Sequence, residues 1–322
     1  SLPDSLRQQW LNVLSAVQIN RYPHPSAPAV KAGLRNLMGL KDEYELLLGN
    51  GSDELIQLIA MAVAKPGALL LAVEPSFVMY RMIAQFLGMR YHGVALTENF
   101  ALDRDALLAA IRTEQPSLIF LAQPNNPTGN VFDASIVEEV IAAAPGLVVI
   151  DEAYLAFTDA NALPWLDRFP NVLVMRTLSK VGLAGLRLGF LAGRREWIHE
   201  IDKLRLPYNI NVLTQASAEF ALAHYDVFRE QTELLRAERT RLTQSLQALP
   251  LDKVWPSEAN FVLVRTAAGE ARAVFEALKK NNVLIKCLDG AHPLLKDCLR
   301  LTVGTPAENQ VMLEALEKAL AD

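Results

Sequence analysis

Cysteine is nearly absent from this chain, with two in 322 residues, Cys287 and Cys298. Both fall late and in no metal-type spacing, which argues against a disulfide framework and fits a reducing compartment, the cytoplasm. The five histidines, His24, His92, His199, His224 and His292, form no paired ligand motif, so no metal is expected. Neither sign of charge dominates. Thirty-one Lys and Arg stand against 36 Asp and Glu, a net of −5, and the basic residues are dispersed. Nucleic acid and anionic membrane surfaces are therefore not expected as partners. No apolar run reaches about 18 residues without a charge or a breaker, so no membrane span is predicted. The start, Ser1 to Leu6, lacks the basic end and apolar core of a signal peptide.

What remains is an ordinary globular composition, 51% hydrophobic and 21% charged, at a length that predicts two lobes. Residues 4–17 read as an amphipathic helix opened by Pro3 and Asp4. Three prolines, at 23, 25 and 28, then impose an extended loop carrying Tyr22, a residue that reads equally as loop packing or as function.

After a helix at Ala29–Met38 the pattern alternates. Strands are predicted at Glu45–Leu48, Ala68–Val73, Arg90–Val94, Leu118–Ala122, Leu147–Ile150, Asn171–Met175 and Leu188–Ala192, mostly separated by helices. All-apolar strands such as Ala68–Val73 fit burial on both faces of a parallel sheet. The prediction is an α/β lobe with a seven-stranded, mostly parallel, doubly wound sheet and ligands at the carboxyl ends of its strands.

Helical chain follows from Glu196 to about Leu249, broken near Pro207 and ending in a long connecting helix from Asp226. A small α+β domain closes the chain, with strands at Asn260–Arg265, Val283–Lys286 and Leu299–Val303 and helices at Gly269–Lys280 and Pro306–Ala321. The organisation expected is an arm over 1–28, a large domain over 29–225 and a small one over 226–322.

The polar groups fall at the predicted strand ends. Gly49-Asn50-Gly51-Ser52-Asp53-Glu54 turns tightly into a helix that Ser52 or Asp53 is placed to cap, and the helix amides suit a phosphate. Phe77 and Tyr80 lie just past another strand, as core or as a platform for a flat ring. Gln123-Pro124-Asn125-Asn126-Pro127-Thr128-Gly129 presents two side-chain amides. Asp151 follows four apolar residues, so a cationic partner is expected for its carboxylate. Lys180 sits between two apolar strands in a loop of small and hydroxyl residues, with Arg187 close behind. It reads either as a surface charge or as a lysine that forms a Schiff base with an aldehyde cofactor. A nicotinamide site is a poor fit, since only Gly49 and Gly51 match its glycine-rich turn and position 54 is Glu.

Seven segments in order, NRYP (Asn20–Pro23), GNGSDE (Gly49–Glu54), PNNPTG (Pro124–Gly129), DEAY (Asp151–Tyr154), RTLSK (Arg176–Lys180), GLAGLRLGF (Gly182–Phe190) and CLRLTVGT (Cys298–Thr305), resemble the fold-type I pyridoxal 5′-phosphate aminotransferases over nearly the whole chain.

The resemblance implies that Lys180 anchors the cofactor aldehyde and shuttles the proton, while Asp151 pairs with the ring nitrogen. It implies that Asn126 and Tyr154 bond the ring's phenolic oxygen and that Phe77, where many relatives have Tyr, stacks on the ring. The Ser52 and Asp53 amides, the Ser179 hydroxyl and Arg187 would hold the phosphate, and Tyr22 would reach the cofactor of a homodimer partner. Arg300 would clamp substrate phosphate or carboxylate. Lys286, where many relatives have a second Arg, reads equally as a strand-end charge. Lys180 and Arg187 are one residue closer than in many relatives.

The activity implied is interconversion of histidinol phosphate plus 2-oxoglutarate with imidazole acetol phosphate plus glutamate. Threonine-phosphate decarboxylases and aromatic aminotransferases are the near alternatives. A non-enzymatic regulatory module is a distant one, because no basic DNA-binding footprint is present.

Overall fold

A computed structural model of the chain describes residues 2–321. Seven strands build the main sheet: β1 (Tyr44–Asn50), β2 (Leu69–Glu74), β3 (Arg90–Ala95), β4 (Leu118–Ala122), β5 (Leu147–Asp151), β6 (Val172–Thr177) and β7 (Leu188–Arg194). Their spatial order is β1-β7-β6-β5-β4-β2-β3, and β7 alone runs against its two neighbours. The predicted seven-stranded, mostly parallel sheet is thus present. Four further strands, β8 (Lys253–Val254), β9 (Phe261–Arg265), β10 (Lys286–Cys287) and β11 (Cys298–Thr302), form a second, antiparallel sheet ordered β10-β11-β9-β8.

The helices in chain order are α1 (Asp4–Ser15), α2 (Pro28–Met38), α3 (Ser52–Val63), α4 (Met79–Phe86), α5 (Arg104–Glu114), α6 (Ala134–Ala143) and α7 (Leu163–Arg168). They continue with α8 (Arg195–Asp202), α9 (Val212–Ala223), α10 (Tyr225–Gln247), α11 (Ala271–Lys280) and α12 (Pro306–Ala321).

Side chains alternate along each strand, so the main sheet feeds two cores. Leu46, Leu71, Ile119, Val148 and Val174 pack on one side with α2, α5, α6, α7 and α9. Leu47, Leu70, Phe120, Val149 and Leu173 pack on the other with α3, α4 and α8. Because both faces are covered, the central strands carry apolar residues at successive positions, the pattern seen in the sequence. The second sheet has its own core, in which Val262, Val264, Leu299 and Leu301 meet α10, α11 and α12.

Four local expectations need correction. The strand predicted at Val283–Lys286 pairs only at Lys286–Cys287, because the Val283 amide donates to Leu278 O (2.9 Å) and closes α11 instead. The first helix ends at Ser15 rather than at position 17, with the Ala16 and Val17 amides turning back to Val13 O and Leu14 O. The short elements α7 and β8 were not predicted. Finally, α3 has no side-chain cap: Gly51, at φ +83°, occupies the capping position that Ser52 or Asp53 was expected to fill.

Candidate active site

Lys180 lies in a single turn of 3-10 helix just past β6, and its half-buried side chain opens into a cavity of about 170 Å³. The same cavity is lined by Ser52, Asp53, Phe77, Asn126, Asp151, Tyr154, Ser179 and Arg187, so eight predicted residues converge on it with Lys180. They come from loops at or just past β1, β2, β4, β5 and β6 and from the start of β7, which puts the site at one edge of the sheet. A larger cavity of about 580 Å³ adjoins it, sharing Phe77 and Asn126 and adding Arg300 and Lys286.

The Lys180 amine stands 5.3 Å from the centre of the Tyr154 ring. Among the described residues, no hydrogen bond or ion pair holds it. Burial, and next the positive charge of Arg300, push its pKa below the ordinary lysine value. An amine less tightly protonated than a surface lysine is present in larger fraction as the free base, the form that attacks a carbonyl or accepts a proton.

Asp151 ends β5 almost fully buried, and burial pushes its pKa up to about 6. The expected ion-pair partner is missing: no salt bridge engages it among the described residues. Tyr80 Oη donates to its Oδ2 (2.6 Å) and the Ala153 amide to its Oδ1 (3.1 Å). The carboxylate is oriented by two neutral donors and by no formal positive charge in direct contact. By contrast, the adjacent Glu152 is buried and paired, accepting from Arg176 Nε (2.8 Å) and the Ala162 amide (2.6 Å).

The turn after β1 is shaped for an anion. With no side-chain cap, the first amides of α3 are free for a ligand. The backbone at φ +83° favours glycine at position 51, and a Cβ there would also displace the end of the Arg187 side chain, meeting Nη2 at 2.5 Å. Arg187 itself adopts a left-handed backbone (φ +49°) and pairs with Asp53 Oδ2 at 3.2 Å. Both side chains of that pair are about half exposed, so it contributes little to stability and is open to solvent. Ser179 completes this corner, hydrogen-bonded to Thr177 Oγ1 at 2.9 Å.

Of the neighbouring Asn125 and Asn126 in the loop after β4, only Asn126 lines the cavity. Asn125 is buried and donates to Pro75 O (3.0 Å) and Thr128 Oγ1 (2.7 Å), which fixes the loop from within. Asn126 Oδ1 accepts from Arg300 Nη1. Arg300 also lies over the Phe261 ring at 4.9 Å, while its Nε is buried without an acceptor. Lys286 stands directly across the β10–β11 ladder from Arg300, exposed at the larger cavity. Tyr22 does not line either cavity. It is 82% exposed and stacks on Tyr208 at 4.7 Å.

These features fit a flat pyridine ring bearing an aldehyde and a phosphate. An unpaired buried carboxylate, an unengaged amine and an uncapped helix start surround one cavity, with Phe77 on its wall. Sequence reasoning noted Tyr80 only as an aromatic, because a contact between residues 71 apart leaves no local spacing signal.

The chain belongs to the class I and II aminotransferases, since the model of the family Aminotransferase class I and II matches residues 2–316. Its relatives narrow the class. It is 52% identical over 312 residues to histidinol-phosphate aminotransferase 2 of Nitrosococcus oceani, covering 97% of this chain and 87% of that one. It is 51% identical over 317 residues to the histidinol-phosphate aminotransferase of Chromobacterium violaceum, covering 98% and 88%. The structure of histidinol-phosphate aminotransferase from Sinorhizobium meliloti in complex with pyridoxal 5′-phosphate superposes with a TM-score of 0.89 at 28% identity, covering 99% of this chain and 87% of that one.

Proposed function

We propose that this chain is a pyridoxal 5′-phosphate-dependent aminotransferase that interconverts L-histidinol phosphate plus 2-oxoglutarate with imidazole acetol phosphate plus L-glutamate, a step of histidine biosynthesis. The observation that carries the reading is the presence, in one cavity, of the buried Asp151 carboxylate, which has no ion-pair partner among the described residues, and the Lys180 amine, which has no hydrogen bond or ion pair there. The identity to two histidinol-phosphate aminotransferases supports the substrate.

When bound, the cofactor supplies an aldehyde that takes up the amino group and a ring that accepts the electrons released at the donor's α-carbon. The residues of this chain do the rest. Asp151 holds a proton on the ring nitrogen through charge and hydrogen bonding. Tyr154 and Asn126 orient the ring edge, and Phe77 covers a ring face. The α3 amides at Ser52 and Asp53, the Ser179 hydroxyl and Arg187 grip the phosphate. Lys180 Nζ takes the proton from the α-carbon and returns it as the transfer completes.

Arg300, with a buried Nε lacking an acceptor, receives the substrate's phosphate in one half-reaction and a glutamate carboxylate in the other. Lys286 adds a positive charge to the same anion without a bidentate fork. The enzyme acts as a homodimer in which Tyr22 reaches the partner's cofactor phosphate. Support for the dimer is the exposure of large apolar side chains, Ile19, Tyr22 and Leu206, on the single chain. Two free cysteines suit the reducing cytoplasm. No described helix is long and apolar enough to cross a membrane.

A decarboxylase acting on a related amino-alkyl phosphate is the reading to test against. Purified protein supplied in turn with histidinol phosphate and threonine phosphate, each with 2-oxoglutarate, is followed for keto product, glutamate and carbon dioxide. Glutamate formed with histidinol phosphate supports the proposal, and carbon dioxide from threonine phosphate without glutamate overturns it.

A further inference from the structure

Tyr80 belongs to the first turn of α4, away from every segment that carries the family resemblance, yet it makes the closest contact to Asp151. Its hydroxyl donates to Asp151 Oδ2 at 2.6 Å. The ring is fully buried, stacked on Phe120 of β4 at 4.6 Å with planes 8° apart, and set edge-on to Phe77 at 5.7 Å and 85°. Two aromatic neighbours and full burial thus fix the setting of this side chain. Burial and the adjacent carboxylate raise its pKa well above that of a free tyrosine, so the group remains an O–H donor.

The choice of donor matters. A carboxylate this deep needs hydrogen bonds to stay ionised, and an arginine or lysine would provide them. A cationic side chain would also neutralise Asp151 and repel a protonated ring nitrogen. A tyrosine orients the carboxylate with no formal charge and leaves the full negative charge for the ligand. The Ala153 amide does the same for Oδ1 at 3.1 Å, so each oxygen is held by one neutral donor.

We infer that Tyr80 is a positioning residue for the ring-nitrogen interaction: it locks the Asp151 carboxylate in its ionised, inward-facing state and ties that carboxylate to the Phe77 platform through one rigid side chain. The inference rests on the cofactor reading above, and its effect is confined to ligands that carry a ring nitrogen. Replacing the hydroxyl leaves Asp151 with one donor fewer. Binding of a ring that presents N–H⁺ weakens, while binding of a ring with carbon at that position has nothing to lose.

The test is the Tyr80→Phe protein, which keeps the aromatic packing. Cofactor-free wild type and variant are titrated with pyridoxal 5′-phosphate and with its 1-deaza analogue, and binding is read from the visible absorbance. The expected result is affinity for pyridoxal phosphate lower by about tenfold in the variant, with affinity for the deaza analogue unchanged. In an Asp151→Asn background the same substitution changes neither affinity. A variant that weakens both ligands equally, or neither, overturns the role assigned to Tyr80 while leaving the cofactor assignment standing. Wild-type protein that takes up neither ligand overturns the cofactor assignment itself. If Tyr80→Phe fails to fold, Phe77→Leu tests the same link: it removes the platform and also loosens Tyr80, so it weakens pyridoxal phosphate more than the deaza analogue, and equal loss of both contradicts the tie.

Discussion

Arg300 on β11 donates a hydrogen bond from Nη1 to Oδ1 of Asn126, which joins the second sheet to the loop after β4 beside the Lys180 cavity. One contact thus couples the residue proposed to clamp the substrate to the residue proposed to bond the cofactor's edge. The guanidinium fork is what lets Arg300 hold Asn126 and still offer N–H groups to an anion. Arg300→Lys keeps the charge and loses the fork. The expected outcome is a rise in KM of roughly ten- to a hundredfold for both the phosphorylated substrate and glutamate, with a smaller fall in kcat. Steady-state kinetics with each substrate varied in turn measures this. Loss for only one of the two substrates contradicts a shared clamp.

Gly51 tests the phosphate corner. Its backbone, at φ +83° and ψ 166°, lies where other residues are strained by about 1–3 kcal/mol, and a Cβ would press on Arg187 Nη2. Gly51→Ala is expected to fold with a lowered melting temperature and to bind pyridoxal phosphate at least about tenfold more weakly. Equilibrium titration of the cofactor-free protein checks it.

Asp151 makes a pH-dependent prediction about the protein without its cofactor. Its carboxyl is raised from 3.8 to about 6, mainly by burial, with Asp53 opposing ionisation and Lys180, Tyr80 and the Ala153 amide favouring it. A raised carboxyl binds its proton more tightly folded than unfolded. Its contribution to stability is therefore fully present below pH 4 and lost as pH rises through 6. The difference between the two values corresponds to about 3 kcal/mol. The cofactor-free Asp151→Asn protein, which cannot ionise, is expected to be more stable than wild type at pH 8 and not at pH 4. Denaturant unfolding at the two pH values tests the sign.

The sharing of sites across a dimer has its own signature. If Tyr22 serves the partner's site, Tyr22→Ala and Lys180→Ala subunits assemble into hybrids with one intact site. Unfolding and refolding an equal mixture of the two weak proteins is then expected to give about a quarter of the wild-type activity. Activity no greater than the mean of the two separate proteins contradicts the shared site.

Much of this arrangement was legible in the sequence, for physical reasons. Strands covered on both faces carry unbroken apolar runs, so β2, β4 and β5 announced themselves. Loops that turn at prolines and glycines keep those residues in sequence, and this exposed the segments around Gly51, Asn126 and Lys180. What escaped was set by contacts across space. The two-residue strands β8 and β10 exist through their partners rather than any local pattern. Asn125 and Asn126 are identical neighbours, and only packing tells that one braces the loop while the other faces the cavity. A cationic partner was expected for the carboxylate of Asp151, and among the described residues it has two neutral donors and no ion pair, an arrangement only the folded chain reveals.

The central claim is that Lys180 is the residue joined to the cofactor. Borohydride reduction of the pyridoxal phosphate-loaded protein, followed by digestion and peptide mass spectrometry, tests it most directly. The account predicts one modified peptide, spanning Lys180 and heavier by the reduced cofactor, that is missing from a Lys180→Ala protein treated in the same way. An unmodified Lys180 peptide, or the added mass on another lysine, would contradict it.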